Sequence, residues 1–191
     1  MDLMGFIDFC KRSILKFDSV MLSFTRETDD DIVSIRQVVT TAFADTKVAE
    51  LVETIRNSSN FIPELSLVAV ENGDVLGHIL FSRLVIEAQE QTVQALALAP
   101  IAVTPTRQRQ GIGSQLVQVG LSKCHELEHS IVVVVGEPHY YGRFGFQRAS
   151  RFGLQSSLPF PDEVFMVLEL KPGNLMGVSG IVRYPAYFEG V

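Results

Sequence analysis

Apolar residues recur three and four positions apart in two consecutive stretches near the start of the chain. This spacing is typical of helices with one buried face. Asp29-Asp30-Asp31 precedes the first stretch and suits a helix start, where carboxylates accept free N–H groups and meet the positive end of the helix dipole. The apolar positions are Ile32, Ile35, Val38, Val39 and Phe43 in the first stretch and Val48, Leu51, Val52 and Ile55 in the second. We predict two helices there, after a short strand at residues 21–26.

Downstream, the pattern changes to runs of β-branched and other apolar residues, which predict strands. Asn72-Gly73 separates runs at 66–70 and 75–84 and is a strong hairpin signal. Pro100 interrupts the next run, 92–103. Because proline lacks the N–H of a ladder bond, we expect a bulge or a loss of pairing there. Further strands are predicted at 130–135, buried on both faces, and at 164–170 and 180–188.

Two more helical segments are predicted, at residues 111–127 and 139–144. The resulting order, β-α-α-β-β-β-α-β-α-β-β, indicates a mixed sheet with helices on its faces, in the α/β or α+β class. We assign this domain to residues 21–191. Residues 1–20 are predicted to be an N-terminal extension whose apolar positions suit a short amphipathic helix.

Composition limits the classes of protein to consider. A chain of 191 residues with 47% hydrophobic and 20% charged residues fits one globular domain. Its net charge of −6 argues against nucleic-acid binding, which needs a basic face. No apolar run has the length of a membrane span, so a cytoplasmic location is expected. Cys10 and Cys124 lack metal-ligand spacing, so we expect reduced structural thiols and no metal site.

The strongest chemical signal lies where the strand ending at Val103 leads through a loop into a helix starting at Gly111. The first N–H groups of such a helix have no intrahelical acceptor and favour an anion. Gly111 and Gly113 allow close backbone approach, and Arg107 and Arg109 add cationic donors.

The loop has two other interpretations. The glycines could simply start a helix while the arginines stay solvated. Alternatively, Gly111-Ile112-Gly113 could be part of a dinucleotide G-x-G-x-x-G motif, with Glu137 as a ribose ligand. Leu116 stands where the third glycine of that motif belongs, and seven residues separate Val103 from Gly111, which argues against it.

Gln108-Arg109-Gln110-Gly111-Ile112-Gly113 resembles motif A of the GNAT acetyltransferase superfamily. Together with residues 63–69 and Tyr140-Tyr141-Gly142-Arg143-Phe144-Gly145-Phe146, it is similar to the YhbS-like group of predicted acyltransferases, over roughly residues 21–170. The resemblance implies a splayed GNAT-like sheet and an N-acetyltransferase that moves the acetyl group of acetyl-CoA to an amine by direct attack. The implied cofactor-binding residues are Ile101, Ala102 and Val103 beside the pantetheine arm, and Gln108, Arg109, Gln110, Gly111, Ile112, Gly113 and Ser114 around the pyrophosphate.

Catalysis would need a proton donor for the departing thiolate and a base for the amine. Tyr141 occupies the position of the family's tyrosine in the F-Y-x-x-x-G-F motif, which implies that it is the acid. Many relatives carry a carboxylate on the strand before the loop, but residues 94–98 here contain none. Glu137 could act as the base through water. His78, Glu64 and His139 are further candidates, and an amine of low pKa would need no dedicated base.

The missing strand carboxylate also supports an alternative from another class: a regulatory module that binds acyl-CoA without turnover. The expected partner is a small-molecule or peptide amine, bound in a groove built by the first two helices and the late strands, with residues 159–163 and 173–180 contributing. Neither a nucleic acid nor a membrane is expected as a partner. Late strands in this superfamily often pair between subunits, so the resemblance is compatible with a homodimer, although the sequence does not determine the oligomeric state.

Overall fold

The computed structural model describes residues 22–89 and 91–190. The predicted extension at 1–20, its amphipathic helix and Cys10 lie outside these residues. Among the described residues, no helix is both long and apolar enough to cross a membrane. Cys124 is a free, buried thiol, and burial raises its pKa to about 12, as expected for a structural cysteine.

Residues 22–89 and 91–190 contain four α-helices: α1 (Ile32–Phe43), α2 (Lys47–Arg56), α3 (Ile112–Glu126) and α4 (Pro138–Gly142). The predicted helix start is found at Asp29–Asp31, but Asp31, the N-cap of α1, makes no side-chain cap hydrogen bond to the helix itself. A 3-10 turn at Asp29–Asp31 precedes α1, and Asp31 closes a capping box with Thr28. The Thr28 backbone N–H and hydroxyl both donate to Asp31 Oδ2 at 2.8 Å.

The nine strands in the described part of the chain form one sheet, in which seven follow the order β1-β2-β3-β4-β5-β8-β6. Neighbours in this order are antiparallel except β4 and β5, which are parallel. β9 pairs with the last four residues of β3 and, in parallel, with β7. Their bounds are β1 (Ser23–Arg26), β2 (Phe61–Glu71), β3 (Asp74–Ala88), β4 (Thr92–Val103), β5 (Ile131–Val135), β6 (Gln147–Arg148), β7 (Leu154–Ser156), β8 (Phe165–Glu169) and β9 (Gly180–Arg183).

The predicted strand at 180–188 is wrong in its second half. β9 ends at Arg183, and Ala186–Phe188 form a 3-10 turn. Pro185 separates the two, because it can neither donate a ladder bond nor continue the strand. The short strands β6 and β7 were not predicted, and β2 begins five residues before the predicted start.

Helices cover both faces of the sheet, as predicted. A hydrophobic cluster on one face joins the sheet to α1 and α2, and includes Ile35, Val39 and Ile55. A second cluster on the other face joins it to α3 and α4, and includes Leu116 and Tyr141. β5 lies between the two clusters with four consecutive residues at most 1% exposed, which confirms a strand buried on both faces.

A bulge lies in β4 at the position predicted from Pro100. Ile79 of β3 pairs with Ile101, whereas Phe81 pairs with Leu98, so β4 contains one extra residue between these pairs. The alternation of side chains therefore inverts across Pro100. Before the bulge Leu98 packs on the α3 side, and after it Ile101 and Val103 also pack on that side.

Candidate active site

The loop between β4 and α3 presents a row of unpaired backbone donors. Gly111 is the N-cap residue of α3, with φ +88°, and Arg109 also has a left-handed φ of +61°. None of the six backbone N–H groups from Arg109 to Ser114 donates to another described residue. Six unpaired donors in the loop and first turn at the positive end of a 15-residue helix are an arrangement that favours an anion.

A groove of about 550 Å³, here called the first groove, opens over these donors. Eight of the ten predicted cofactor-binding residues line it. Of the other two, Gln110 accepts a hydrogen bond from Arg107 Nε at 3.0 Å and donates to the Thr106 carbonyl. Ile112 is 2% exposed, with its side chain in the core against Leu116. The side chains of Gln110 and Ile112 therefore do not line the first groove, although their backbone N–H groups belong to the row of donors.

Arginines of the first groove fall into two types. Arg107 is bound by the Glu71 carboxylate through two hydrogen bonds, of 2.5 and 2.9 Å, which lower the pKa of Glu71. Arg109 is exposed and lines the groove without such a partner among the described residues. Arg107 therefore fixes the loop, whereas the guanidinium of Arg109 is available to an anion.

Arg143 is a lining residue to which the sequence analysis gave no role. Its guanidinium carbon lies 4.7 Å from the centre of the Tyr140 ring, and Nη2 lies 3.4 Å from Ser114 Oγ. The signal available in the sequence was its place one turn after Tyr140, within the motif already quoted. Arg143, the C-cap residue of α4, thus adds a cation to the first groove beside the first turn of α3.

The sheet splays beside this groove. β4 and β5 are paired only at Leu96–Val132 and Ala97–Val133. Beyond those pairs a second groove, of about 480 Å³, opens between the two strands and is lined by residues 97–101 of β4 and by 135–137 at the end of β5. Ile101 lines both grooves, so the two spaces adjoin at this residue.

Tyr141 lies at the inner wall of the second groove. It is 7% exposed, and its ring packs edge-on against Tyr140 and Phe146 at centroid distances of 5.0 and 5.7 Å. Burial raises the pKa of Tyr141 above its ordinary value, so the phenol stays protonated. Its hydroxyl makes no hydrogen bond to another described residue, which leaves the proton available to a ligand.

Glu137 lines the same groove at a more exposed position. It is the N-cap of α4, and its Oε1 accepts a hydrogen bond from the His139 N–H at 3.2 Å. The structure thus brings together the two residues predicted for acid and base, Tyr141 and Glu137.

The other predicted base candidates lie elsewhere. His78 is fully buried, and its Nε2 lies 2.9 Å from Ser66 Oγ, away from both grooves. Glu64 lines a separate surface groove beside α3, and His139 lines neither groove. In the described part of the chain, no three potential metal ligands cluster.

Comparison with known proteins gives the family. The sequence model of the acetyltransferase (GNAT) domain matches residues 24–149. The uncharacterised N-acetyltransferase YhbS of Escherichia coli K12 is 33% identical over 159 residues, which cover 83% of this chain and 93% of YhbS. The chain belongs to the GNAT acetyltransferase family. It is therefore a transferase by family, which replaces the dinucleotide-binding interpretation of the loop.

Solved structures agree with this assignment. Escherichia coli YhbS in complex with CoA superposes with a TM-score of 0.82 at 30% identity, covering 89% of this chain and 93% of YhbS. A GNAT family acetyltransferase of Brucella melitensis in complex with acetyl-CoA gives a TM-score of 0.73 at 31% identity, covering 89% of this chain and 99% of the relative. The mixed, splayed sheet described above is thus the GNAT fold.

Proposed function

We propose that this protein binds acetyl-CoA in the first groove and transfers the acetyl group to an amine that enters through the second groove. The observation that carries the proposal is the row of six unpaired N–H groups at Arg109–Ser114, directly beside a splayed strand pair. Two relatives of at least 30% identity were solved with CoA or acetyl-CoA bound, which supports the same ligand here.

In this arrangement the pyrophosphate accepts hydrogen bonds from the loop amides, with Arg109 and Arg143 as the available cations. The pantetheine arm runs along residues 101–103 of β4 toward the splay. Those residues are free to pair with it because β5 no longer runs beside β4 there. The thioester then lies near Ile101, where the two grooves adjoin, with Tyr141 on the other side.

The reaction is a direct transfer in a ternary complex. The amine nitrogen attacks the thioester carbonyl carbon, the carbon–sulfur bond breaks, and the Tyr141 phenol donates a proton to the departing sulfur. Burial disfavours a thiolate for the same reason that it disfavours a phenolate. The environment that keeps Tyr141 protonated therefore also raises the proton affinity of the leaving sulfur.

Glu137 is our proposed base, acting through water on the amine. Its Oε1 is engaged with the His139 N–H, while Oε2 has no hydrogen bond to another described residue and lies on the second groove. An exposed carboxylate at the groove also attracts the ammonium form of the substrate before its deprotonation.

The test compares the adjacent tyrosines of α4. Acetyl-CoA affinity is measured by calorimetry and acetyl transfer by release of free CoA thiol. Tyr141→Phe should lower kcat by about a hundredfold or more, the usual contribution of a positioned acid, while the acetyl-CoA Kd stays the same. Tyr140→Phe, in the first groove, should change the acetyl-CoA Kd more than kcat.

Equal loss of kcat in both variants would contradict the acid role of Tyr141. A folded wild-type protein that does not bind acetyl-CoA would overturn the proposal as a whole. The alternative of a non-catalytic acyl-CoA module is favoured by the absence of a carboxylate at residues 94–98. Binding of acetyl-CoA without thiol release in the presence of any amine would establish that alternative.

A further inference from the structure

The second groove has a lining that selects among amines. α1 and α2 contribute Phe43, Val48 and Leu51, and the C-terminal segment contributes Phe160, Tyr184 and Phe188. Among its described lining residues, Glu137 is the one with an ionised side chain. The groove is therefore an apolar slot with five aromatic side chains in its lining and one carboxylate at its reactive end, beside Tyr141.

Its aromatic wall is formed before any ligand enters. Tyr184 packs edge-on against Phe160 at 5.5 Å and against Phe188 at 5.2 Å between ring centroids. Tyr187 continues this stack from Phe188, and its hydroxyl accepts a hydrogen bond from the Asn60 side chain at 2.9 Å. Such mutual packing holds the rings in place, so the slot stays open at little entropic cost to a ligand.

Charge limits which amine fits. An ammonium group placed at the reactive end meets the Glu137 carboxylate and the Tyr141 hydroxyl. A carboxylate on the ligand would lie in the same apolar slot without a lining cation, close to Glu137, and would be disfavoured by desolvation and repulsion. The additional ammonium groups of a polyamine would meet apolar side chains and lose their hydration.

We infer that the amine acceptor is a small primary amine with an aromatic or similarly apolar body and no carboxylate. The inference rests on the proposed transfer reaction and specifies its substrate class. The second groove, with a volume of about 480 Å³, is within the range of small-ligand sites. Because it adjoins the first groove at Ile101, it points the amine toward the thioester. The other candidate occupant of the slot is a long acyl chain of the donor. Such a chain would gain nothing from the Glu137 carboxylate, so we assign the slot to the amine.

The test compares kcat/KM for four amines at saturating acetyl-CoA: 2-phenylethylamine, ethylamine, phenylalanine and spermidine. 2-Phenylethylamine should exceed each of the others by about tenfold or more, because burial of several apolar groups discriminates at least that strongly. Preference for spermidine, ethylamine or phenylalanine would overturn the inference but leave the transfer reaction standing. Bound acetyl-CoA that no amine consumes would refute both.

A matched pair of variants on α1 assigns the preference to the groove. Phe43 is 46% exposed and lines the slot, whereas Val33 is 77% exposed and lies outside it. Phe43→Ala should lower kcat/KM for 2-phenylethylamine about fivefold to tenfold and change that for ethylamine little. Val33→Ala should affect neither, and acetyl-CoA binding by each variant shows that it is folded.

A comparison of acyl-CoA donors of different chain length tests whether the slot holds the acyl chain instead of the amine. If the slot held the acyl chain, octanoyl-CoA would be a better donor than acetyl-CoA, and Phe43→Ala would remove that preference. This result would overturn the inference. A preference for acetyl-CoA that Phe43→Ala leaves unchanged supports it.

Discussion

Tyr140 and Tyr141 are consecutive residues that lie on different grooves. Successive side chains on a helix point about 100° apart, so α4 directs one ring to the first groove and the next to the second. A Cβ atom built on Gly113 would lie 3.1 Å from the Tyr140 hydroxyl, so this ring closely approaches the start of α3. Tyr141 is the more buried ring. The pair explains how one short helix contributes to both the proposed cofactor site and the proposed acid.

Gly136 permits the position of Tyr141, since a Cβ built there would lie 2.4 Å from the ring atom Cε2. Gly136→Ala must therefore displace the proposed acid. We expect a loss of about 1–3 kcal/mol in unfolding free energy, typical of overpacking, together with a lower kcat. Thermal unfolding and thiol-release assays measure the two effects.

Gly142→Ala is the matched control for this change. Gly142 ends α4, and a Cβ built on it meets nothing within 4 Å. We expect unchanged stability and kcat. If the two alanine variants behaved alike, the close contact between residue 136 and Tyr141 would not control the site.

Arg143 allows the proposed phosphate contact to be tested. A charge-assisted hydrogen bond contributes about 1.5–3 kcal/mol, so Arg143→Ala should weaken acetyl-CoA binding about tenfold and reduce the dependence of Kd on salt. Arg148, whose exposed ion pair with Asp162 has an N–O distance of 3.5 Å, provides the control. Arg148→Ala should leave the Kd unchanged. An equal loss in both variants would indicate a general effect of net charge.

Among the elements, α2 is attached to three strands by a buried polar network. Glu27, directly after β1, accepts hydrogen bonds from Arg56 Nε at 2.7 Å and from Ser66 Oγ at 2.5 Å. His78 Nε2 lies 2.9 Å from Ser66 Oγ and 3.4 Å from Glu27 Oε2, and His78 Nδ1 has no described partner. Since Ser66 donates to Glu27, the neutral His78 donates from Nε2 and leaves Nδ1 as an unprotonated acceptor.

Burial alone would raise the pKa of Glu27, but hydrogen bonds from His78, Arg56 and Ser66 outweigh it and hold that pKa at about 2. Glu27→Gln should cost about 3 kcal/mol of unfolding free energy, because it leaves the largely buried Arg56 unpaired. Glu53→Gln removes an exposed ion pair with Arg36 and should cost less than about 1 kcal/mol. Urea unfolding measures both; equal losses would contradict the anchoring role of Glu27.

The same network predicts how stability depends on pH. Burial lowers the pKa of His78, so both Glu27 and His78 bind protons more readily in the unfolded chain. The contribution of Glu27 is present above about pH 4.5 and is lost as pH falls toward 2, and His78 adds a loss in the same direction below about pH 6.5. Unfolding of the wild type measured from pH 7 to 3 should show this decline, and Glu27→Gln should flatten the part below pH 4.5.

Elements with a strong local signal could be predicted from the sequence, and the rest could not. The strand at 92–103 was predicted with its bounds, and its bulge from Pro100, because both follow from side chains within the segment. β6 and β7 have two and three residues, too few for any period to emerge, and are held by pairing with β8 and β9. Aliphatic and aromatic residues favour strands, so the composition of 180–188 predicts one strand. In the structure the aromatic residues of its second half instead pack in a turn.

At the scale of the whole molecule, the first groove was predictable because one continuous segment, residues 101–114, builds most of it. The second groove combines α1 and α2 with residues 160–188, more than a hundred positions later. No local sequence pattern shows that these distant segments lie together, although the first two helices and the segment 159–163 are predicted contributors to the groove. Residues 173–180 were also named, but Gly177 and Ser179 line a different cavity. The Glu27 network has no local signal for the same reason, since its members come from four separate segments of the chain.

The domain boundary predicted at Met21 concerns the molecule as a whole. Residues 22–190 contain a hydrophobic cluster on each face of one continuous sheet, so we expect the chain from Met21 to Val191 to fold without residues 1–20. Its unfolding temperature should lie within about 2 °C of the full chain, equivalent to roughly 0.5 kcal/mol. Acetyl-CoA at a hundred times its Kd should stabilise both forms equally, by about 2.7 kcal/mol.

A second shortened chain, beginning after Glu27, provides the contrast. It lacks β1 and the carboxylate that anchors α2, so Arg56 and an edge of β2 lose their partners. We expect this chain to be destabilised by several kcal/mol, enough to unfold a domain of ordinary stability. If removal of residues 1–20 alone had the same effect, the boundary would be wrong and those residues would belong to the domain. If only the second deletion unfolds the chain, the domain begins between Met21 and Glu27.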